Sequence, residues 1–81
     1  MKKIPRDVDA SQLIKILNKK YQYEVTRQTG SHIRITTTLR GEHHVTIPNH
    51  NPIRLGTLSS IIHDIAHHFN KTKEQVVEEL F

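Results

Sequence analysis

Apolar residues recur along this chain with two different periods. Beyond a short extended lead containing Pro5, a helix is expected from Asp9 or Ser11, either of which can cap it. Leu13, Ile14, Ile16 and Leu17 form its stripe, which reaches Tyr21 one turn on. Lys15, Lys19 and Lys20 lie off that stripe, and the last two suit the negative end of the helix dipole. The period then falls to two: Tyr21, Tyr23 and Val25, then Ile33 and Ile35, then Val45 and Ile47. These segments read as three half-buried strands. Thr29-Gly30-Ser31 forms the first turn, and Leu39 to Glu42, with Gly41, the second. Connections this short imply an antiparallel meander.

A loop with two prolines and two asparagines, "PNHNPIRLGT", leads to a second helix expected from Gly56 or Thr57 to about Phe69. Leu58, Ile61, Ile62, Ile65, Ala66 and Phe69 share one broad face of it. Asn70 ends it, and Thr72 with Gln75 forms a capping box for a short last helix carrying Val76, Val77, Leu80 and Phe81. The order α-β-β-β-α, with one α appended, wants both main helices on one face of the sheet and the other face open to water. That α+β layout is double-stranded-RNA-binding-domain-like. A single domain over residues 1–81 is expected, with its core at about 10–69 and a helical extension at about 72–81.

Size and composition narrow the chemistry. The 81 residues contain no cysteine, which excludes disulfides, thiolate metal sites and a cysteine nucleophile. No apolar run approaches the roughly 20 residues of a membrane span, and the basic start "MKKIPRDVDASQ" has no apolar stretch of signal-peptide type behind it. A soluble, cytoplasmic protein is the expectation. Charge is uneven: residues 1–40 hold nine Lys/Arg, Lys2 and Lys3 among them, against three acids, and residues 41–81 hold three against five. A basic half attracts polyanions, of which RNA and DNA are the commonest in a cell.

Strand parity sorts the candidates. With odd positions facing the core, the open face carries Glu24, Thr26 and Gln28, then His32, Arg34 and Thr36, then His44 and Thr46. Arg27 and His43 fall on the core side and are expected at strand ends, beyond the cover of the helices and reaching solvent. This assignment assumes no bulge near the turn. His32 beside Arg34 is a useful constellation for RNA. Imidazole, with an unperturbed pKa of about 6.5, takes or gives a proton near neutral pH, and arginine holds phosphate. RNA supplies its own nucleophile, the 2′-hydroxyl, so no metal is needed in principle. The bland alternative is a histidine that only starts a strand.

His63 and His67, four apart on the second helix with Asp64 and His68 nearby, have a metal-ligand spacing but no specified third and fourth ligand, so a solvated helix face is the better reading. His50 and Arg54 precede a helix N-terminus, where free N–H groups suit a phosphate; a polar loop capped by Thr57 explains them equally well.

Gly30-Ser31-His32, then Ile47-Pro48-Asn49-His50, then Gly56-Thr57-Leu58 lie in an order and spacing that resemble the HicA family of toxin–antitoxin ribonucleases. The likeness covers about residues 10–69; the lead "IPRDVDASQLIKIL" and the tail "KTKEQVVEELF" resemble longer members. It implies a double-stranded-RNA-binding-like fold, agreeing with the element order, and an mRNA-cleaving enzyme whose essential histidine maps to His32. It also implies a HicB-type antitoxin that covers the active site. On this reading His32 is general acid or base, Arg34 and Arg27 bind phosphate, and Gly30 gives a tight turn that lets RNA approach. Ser31 orients the imidazole or satisfies the turn, and His44, His50 and Arg54 add RNA contacts. His44, on the same face, is also the candidate for a second acid/base group. No cofactor is implied. The partners are mRNA and the antitoxin, with no membrane and little to support a homo-oligomer. Two other classes remain open: a non-catalytic RNA-binding module, and a small protein acting only through a partner.

Overall fold

In a computed structural model, which describes residues 3–81, the helix α1 (Ala10–Tyr21) starts at Asp9, one of the two expected caps. The Asp9 N–H donates to Gln12 Oε1 at 2.9 Å. α1 stops where Gln22 turns left-handed at φ 60°. Lys2, part of the basic lead, lies outside the described residues. Three strands follow: β1 (Glu24–Thr29), β2 (His32–Thr37) and β3 (His43–Pro48), then α2 (Leu55–His68) and α3 (Lys73–Leu80). The sheet has the order β1-β2-β3 with both pairings antiparallel. The α-β-β-β-α order is therefore as the periodicity implied, with the short extra helix packed behind it. Among the described residues no helix is long and apolar enough to cross a membrane.

Ile33, Ile35, Val45 and Ile47 on one sheet face pack with Leu13 and Leu17 of α1 and with Leu58, Ile62 and Ile65 of α2 in a single buried cluster. Thr37, at the far end of β2, is buried with them. Its hydroxyl donates to the Tyr21 carbonyl at 2.7 Å and accepts the Leu39 N–H at 3.1 Å, so α1, β2 and the second turn meet at one satisfied polar atom.

α2 begins earlier than expected. Arg54 is its N-cap, with its carbonyl accepting the Leu58 N–H at 2.9 Å, so Thr57 lies inside the first turn and caps nothing. At α3 the expected box is present: the Thr72 hydroxyl accepts from the Gln75 N–H, and Gln75 Oε1 from the Thr72 N–H. Val76, Val77 and Leu80 are buried against the rest of the core.

Tyr21, Lys71 and Glu79 tie α1 to α3. Both the phenol and the ammonium donate to the carboxylate, and Tyr21 stacks on Phe69 at 4.7 Å between centroids. Lys71 first, then Tyr21, holds Glu79 below its usual carboxylate value. The unfolded chain therefore takes up protons first. This contribution to stability is full above about pH 4.3 and lost as pH falls through the lower folded value. Glu79→Gln is expected to flatten the acid limb of thermal stability against pH, at a cost near neutrality of about 0.5–1 kcal/mol for so exposed a pair. On the alkaline side burial pushes the Tyr21 and Tyr23 phenols up, with Glu79 and Asp64 adding to it. Unfolded phenols ionise first there, so stability falls as pH rises above about 10.

β1 departs from strict alternation. Its register shifts between Val25 and Arg27, so that Glu24 faces Thr36, Val25 faces Ile35, Arg27 faces Arg34, Gln28 faces Ile33 and Thr29 faces His32. One extra residue in β1 is a β-bulge, and beyond it the two-residue period turns over. Arg27 is thus on the open face beside Arg34, not on the core side, and Gln28 takes the helix side in its place. Val25, expected to be half-buried, is 52% exposed, and all six β1 residues are exposed at the edge of the sheet.

Candidate nucleic-acid interface on the open sheet face

The Gly30-Ser31 turn joining β1 to β2 sets the geometry of this face. Gly30 has φ +57°, in the left-handed region, and a Cβ there would meet nothing within 4 Å. Backbone conformation, not crowding, is what calls for glycine. The residue after the turn is His32, whose neighbours across the sheet are Thr29 on β1 and Pro48 on β3. The next open-face row is Arg27–Arg34–Thr46, and the row after that is Glu24–Thr36–His44. His32, Arg27 and Arg34 are all exposed, while Ile33 and Ile35 between and beyond them are buried. The sheet therefore presents one imidazole with two guanidinium groups on the row beside it, about 7 Å further along β2.

His44 sits in the third row, about 13 Å along the sheet from His32, and its ring is occupied. Its Nε2–H donates to Glu42 at 2.8 Å, and its Nδ1 accepts from Thr36 Oγ1 at 2.8 Å. Thr36 is bonded in turn to Thr26 Oγ1 at 2.8 Å. This belt crosses all three strands and holds His44 away from any phosphate placed at His32. The suggestion that His44 is the second proton-transfer group does not fit this geometry.

His43 differs from expectation. It is only 17% exposed and lies on the helix side, so it does not reach out into solvent. The Tyr23 hydroxyl donates to its Nδ1 at 2.7 Å, its Nε2 lies 3.4 Å from Asp64, and its ring stacks on His68 at 4.4 Å and 8°. His68 donates from Nε2 to the Leu39 carbonyl at 2.9 Å. Parity placed His43 on this side correctly. The partners that make burial tolerable, an aromatic hydroxyl from before β1 and a carboxylate from α2, are too far off in sequence to be seen.

The loop from Asn49 to Arg54 is pinned at both ends. The Asn49 N–H donates to the Ser31 carbonyl at 2.6 Å, and the Ile53 N–H to the Val8 carbonyl at 2.8 Å. His50 folds back at once, its N–H donating to the Pro48 carbonyl at 2.8 Å. His50 is therefore brought to the Gly30-Ser31-His32 end of the sheet, whereas Arg54 is carried away to the start of α2. His63, Asp64 and His67 line a groove of about 810 Å³ between β3 and α2. None of His32, Arg27, Arg34 or His44 borders it. No group of three or more His, Asp or Glu among the described residues is arranged to hold a metal ion.

His32 and the two arginines stand on an open surface and not in a cleft, which suits a polymer laid across the sheet better than an enclosed small molecule. Fold and face together define a small α+β protein of double-stranded-RNA-binding-domain-like layout, with a basic, histidine-bearing sheet. The chain belongs to the HicA family: the model described as "HicA toxin of bacterial toxin-antitoxin" matches residues 10–66, from the first residue of α1 almost to the end of α2. It is thus a toxin-family member of a system that pairs such a protein with an antitoxin. No curated protein and no solved structure matches the chain.

Proposed function

We propose that the protein is an endoribonuclease acting on mRNA, the toxin partner of a HicB-type antitoxin, and that it cleaves on the open sheet face without a metal ion. The observation that carries this reading is the bulge in β1. It sets Arg27 opposite Arg34 on the row next to His32, so two permanent positive charges stand side by side next to a group able to move a proton. His32 takes or gives the proton at the scissile phosphate, and the arginines hold the phosphate and offset charge developing on it. Gly30 lets the strand approach closely, and Ser31 fixes the turn through its carbonyl. His50 and Arg54 extend the contact toward the start of α2, and His44 lies at the other end of the face.

The test is incubation with end-labelled RNA in EDTA, beside a 2′-deoxy copy of the same sequence. Cutting of the RNA alone is the expected result. Binding without cutting would replace this reading with that of an RNA-binding module. Arg27→Ala and Arg34→Ala are each expected to weaken RNA binding across all sequences and to lower the slope of log affinity against log salt by about 0.7–1. An unchanged slope for Arg27→Ala would place that guanidinium off the RNA path.

A further inference from the structure

We infer that His50 is the second proton-transfer group of the cleavage site, acting on the same phosphate as His32. This rests on the ribonuclease reading above and deepens it. Breaking an RNA strand by its own 2′-hydroxyl moves two protons. One leaves the 2′-oxygen as that oxygen bonds to phosphorus, and one joins the 5′-oxygen as its bond to phosphorus breaks. The products are a 2′,3′-cyclic phosphate and a free 5′-hydroxyl, with no water, metal or oxidant consumed. A single histidine serves one oxygen well, so a site built for both needs a second group on the other side of the phosphate.

Of the seven histidines, five are elsewhere or occupied. His43 and His68 stack on the helix side, and His63 and His67 border the groove between β3 and α2. Both ring nitrogens of His44 are bonded, one to Thr36 in the third row and one to Glu42 in the turn before β3. His50 is exposed and lies two residues past Pro48, the residue that faces His32 across the sheet. Paired residues stand about 5 Å apart between Cα atoms, and two further residues add at most about 7 Å. Two imidazole side chains on backbones that close can meet on one phosphate between them.

The position is also fixed. The Asn49–Ser31 bond ties the residue before His50 to the residue before His32. The Asn51 side chain accepts the Ala10 N–H at 3.4 Å, and the Ile53–Val8 bond secures the loop beyond it. A loop held at three points holds its histidine where a proton must be delivered.

The experiment is kcat/KM for RNA cleavage against pH, for the unaltered protein, His50→Ala and His50→Gln, with circular dichroism to show that each variant is folded. The unaltered protein should give a bell with two limbs, one needing a neutral imidazole and one a protonated imidazole. Each His50 variant should cut about 10²–10⁴-fold more slowly and should lose one limb. Loss of the alkaline limb makes His50 the acid, and loss of the acid limb makes it the base. Either supports the inference. Slower cutting with both limbs kept would mean that His50 only binds or positions RNA, and would overturn it. Unaltered protein that binds RNA without cutting would remove the ribonuclease reading itself, and this inference with it.

Discussion

His32→Ala is expected to lower RNA cleavage by about 10²–10⁴-fold, the range for removal of one acid/base group. It should leave the fold and most of the RNA affinity in place. His32 is exposed and lies outside the buried cluster of Ile33, Ile35, Val45 and Ile47, so truncation opens no cavity. Arg27 and Arg34, the proposed phosphate contacts on the neighbouring row, are untouched by it. The measurement is single-turnover cutting of end-labelled RNA in EDTA, with filter binding and circular dichroism on the same preparations. Equal cutting by both proteins would place the chemistry elsewhere or in a contaminant. A loss of binding as large as the loss of cutting would make His32 a binding residue.

Removing residues 72–81 is expected to leave a chain that is mostly unfolded at 25 °C. α3 contributes Val76, Val77 and Leu80, all buried, and each side chain of this kind stabilises by about 1.5–3 kcal/mol when fully buried. An 81-residue domain has a net stability of only about 4–12 kcal/mol. Losing three such side chains, and uncovering the apolar surfaces of α1 and α2 beneath them, takes most of that margin. Urea denaturation of the full and shortened chains decides the matter, and Leu80→Ala gives a graded check at about 2–5 kcal/mol. A cooperative transition at an unchanged midpoint in the shortened chain would show that α3 is a dispensable appendage. The prediction matters for function because α3 lies beyond residues 10–66, the part that matches the family.

Order, topology and core were readable because each element announces itself locally. The helical stripe of Leu13 and Leu17, the alternation of Ile33 and Ile35, and the Thr72–Gln75 box are all short-range patterns, and tertiary packing agrees with them. β2 and β3 alternate as read, so His32 and Arg34 face water as their parity required. β1 does not. An edge strand has one partner and little cover, so its side chains say little about which way they point, and nothing in "EVTRQT" marks the extra residue. That one irregularity moved Arg27 from a misplaced basic residue to a neighbour of Arg34. His43 shows another limit: its hydroxyl and carboxylate partners, Tyr23 and Asp64, come from segments twenty residues away on one side and twenty-one on the other. The early start of α2 at Leu55, after the N-cap Arg54, was hidden because a backbone carbonyl does the work and no capping side chain advertises it.

The bulge in β1 has one more effect, on what the sheet does when two molecules meet. An edge strand presents a row of unpaired backbone groups, and a long flat one invites a neighbour's strand to join it. Here the row is interrupted between Val25 and Arg27, which leaves two short runs flanked by the charged side chains of Glu24 and Arg27. A second copy arriving at the β1 edge finds no continuous register to zip against. The irregularity that sets a guanidinium in place also guards an exposed apolar valine against becoming the seed of a fibril.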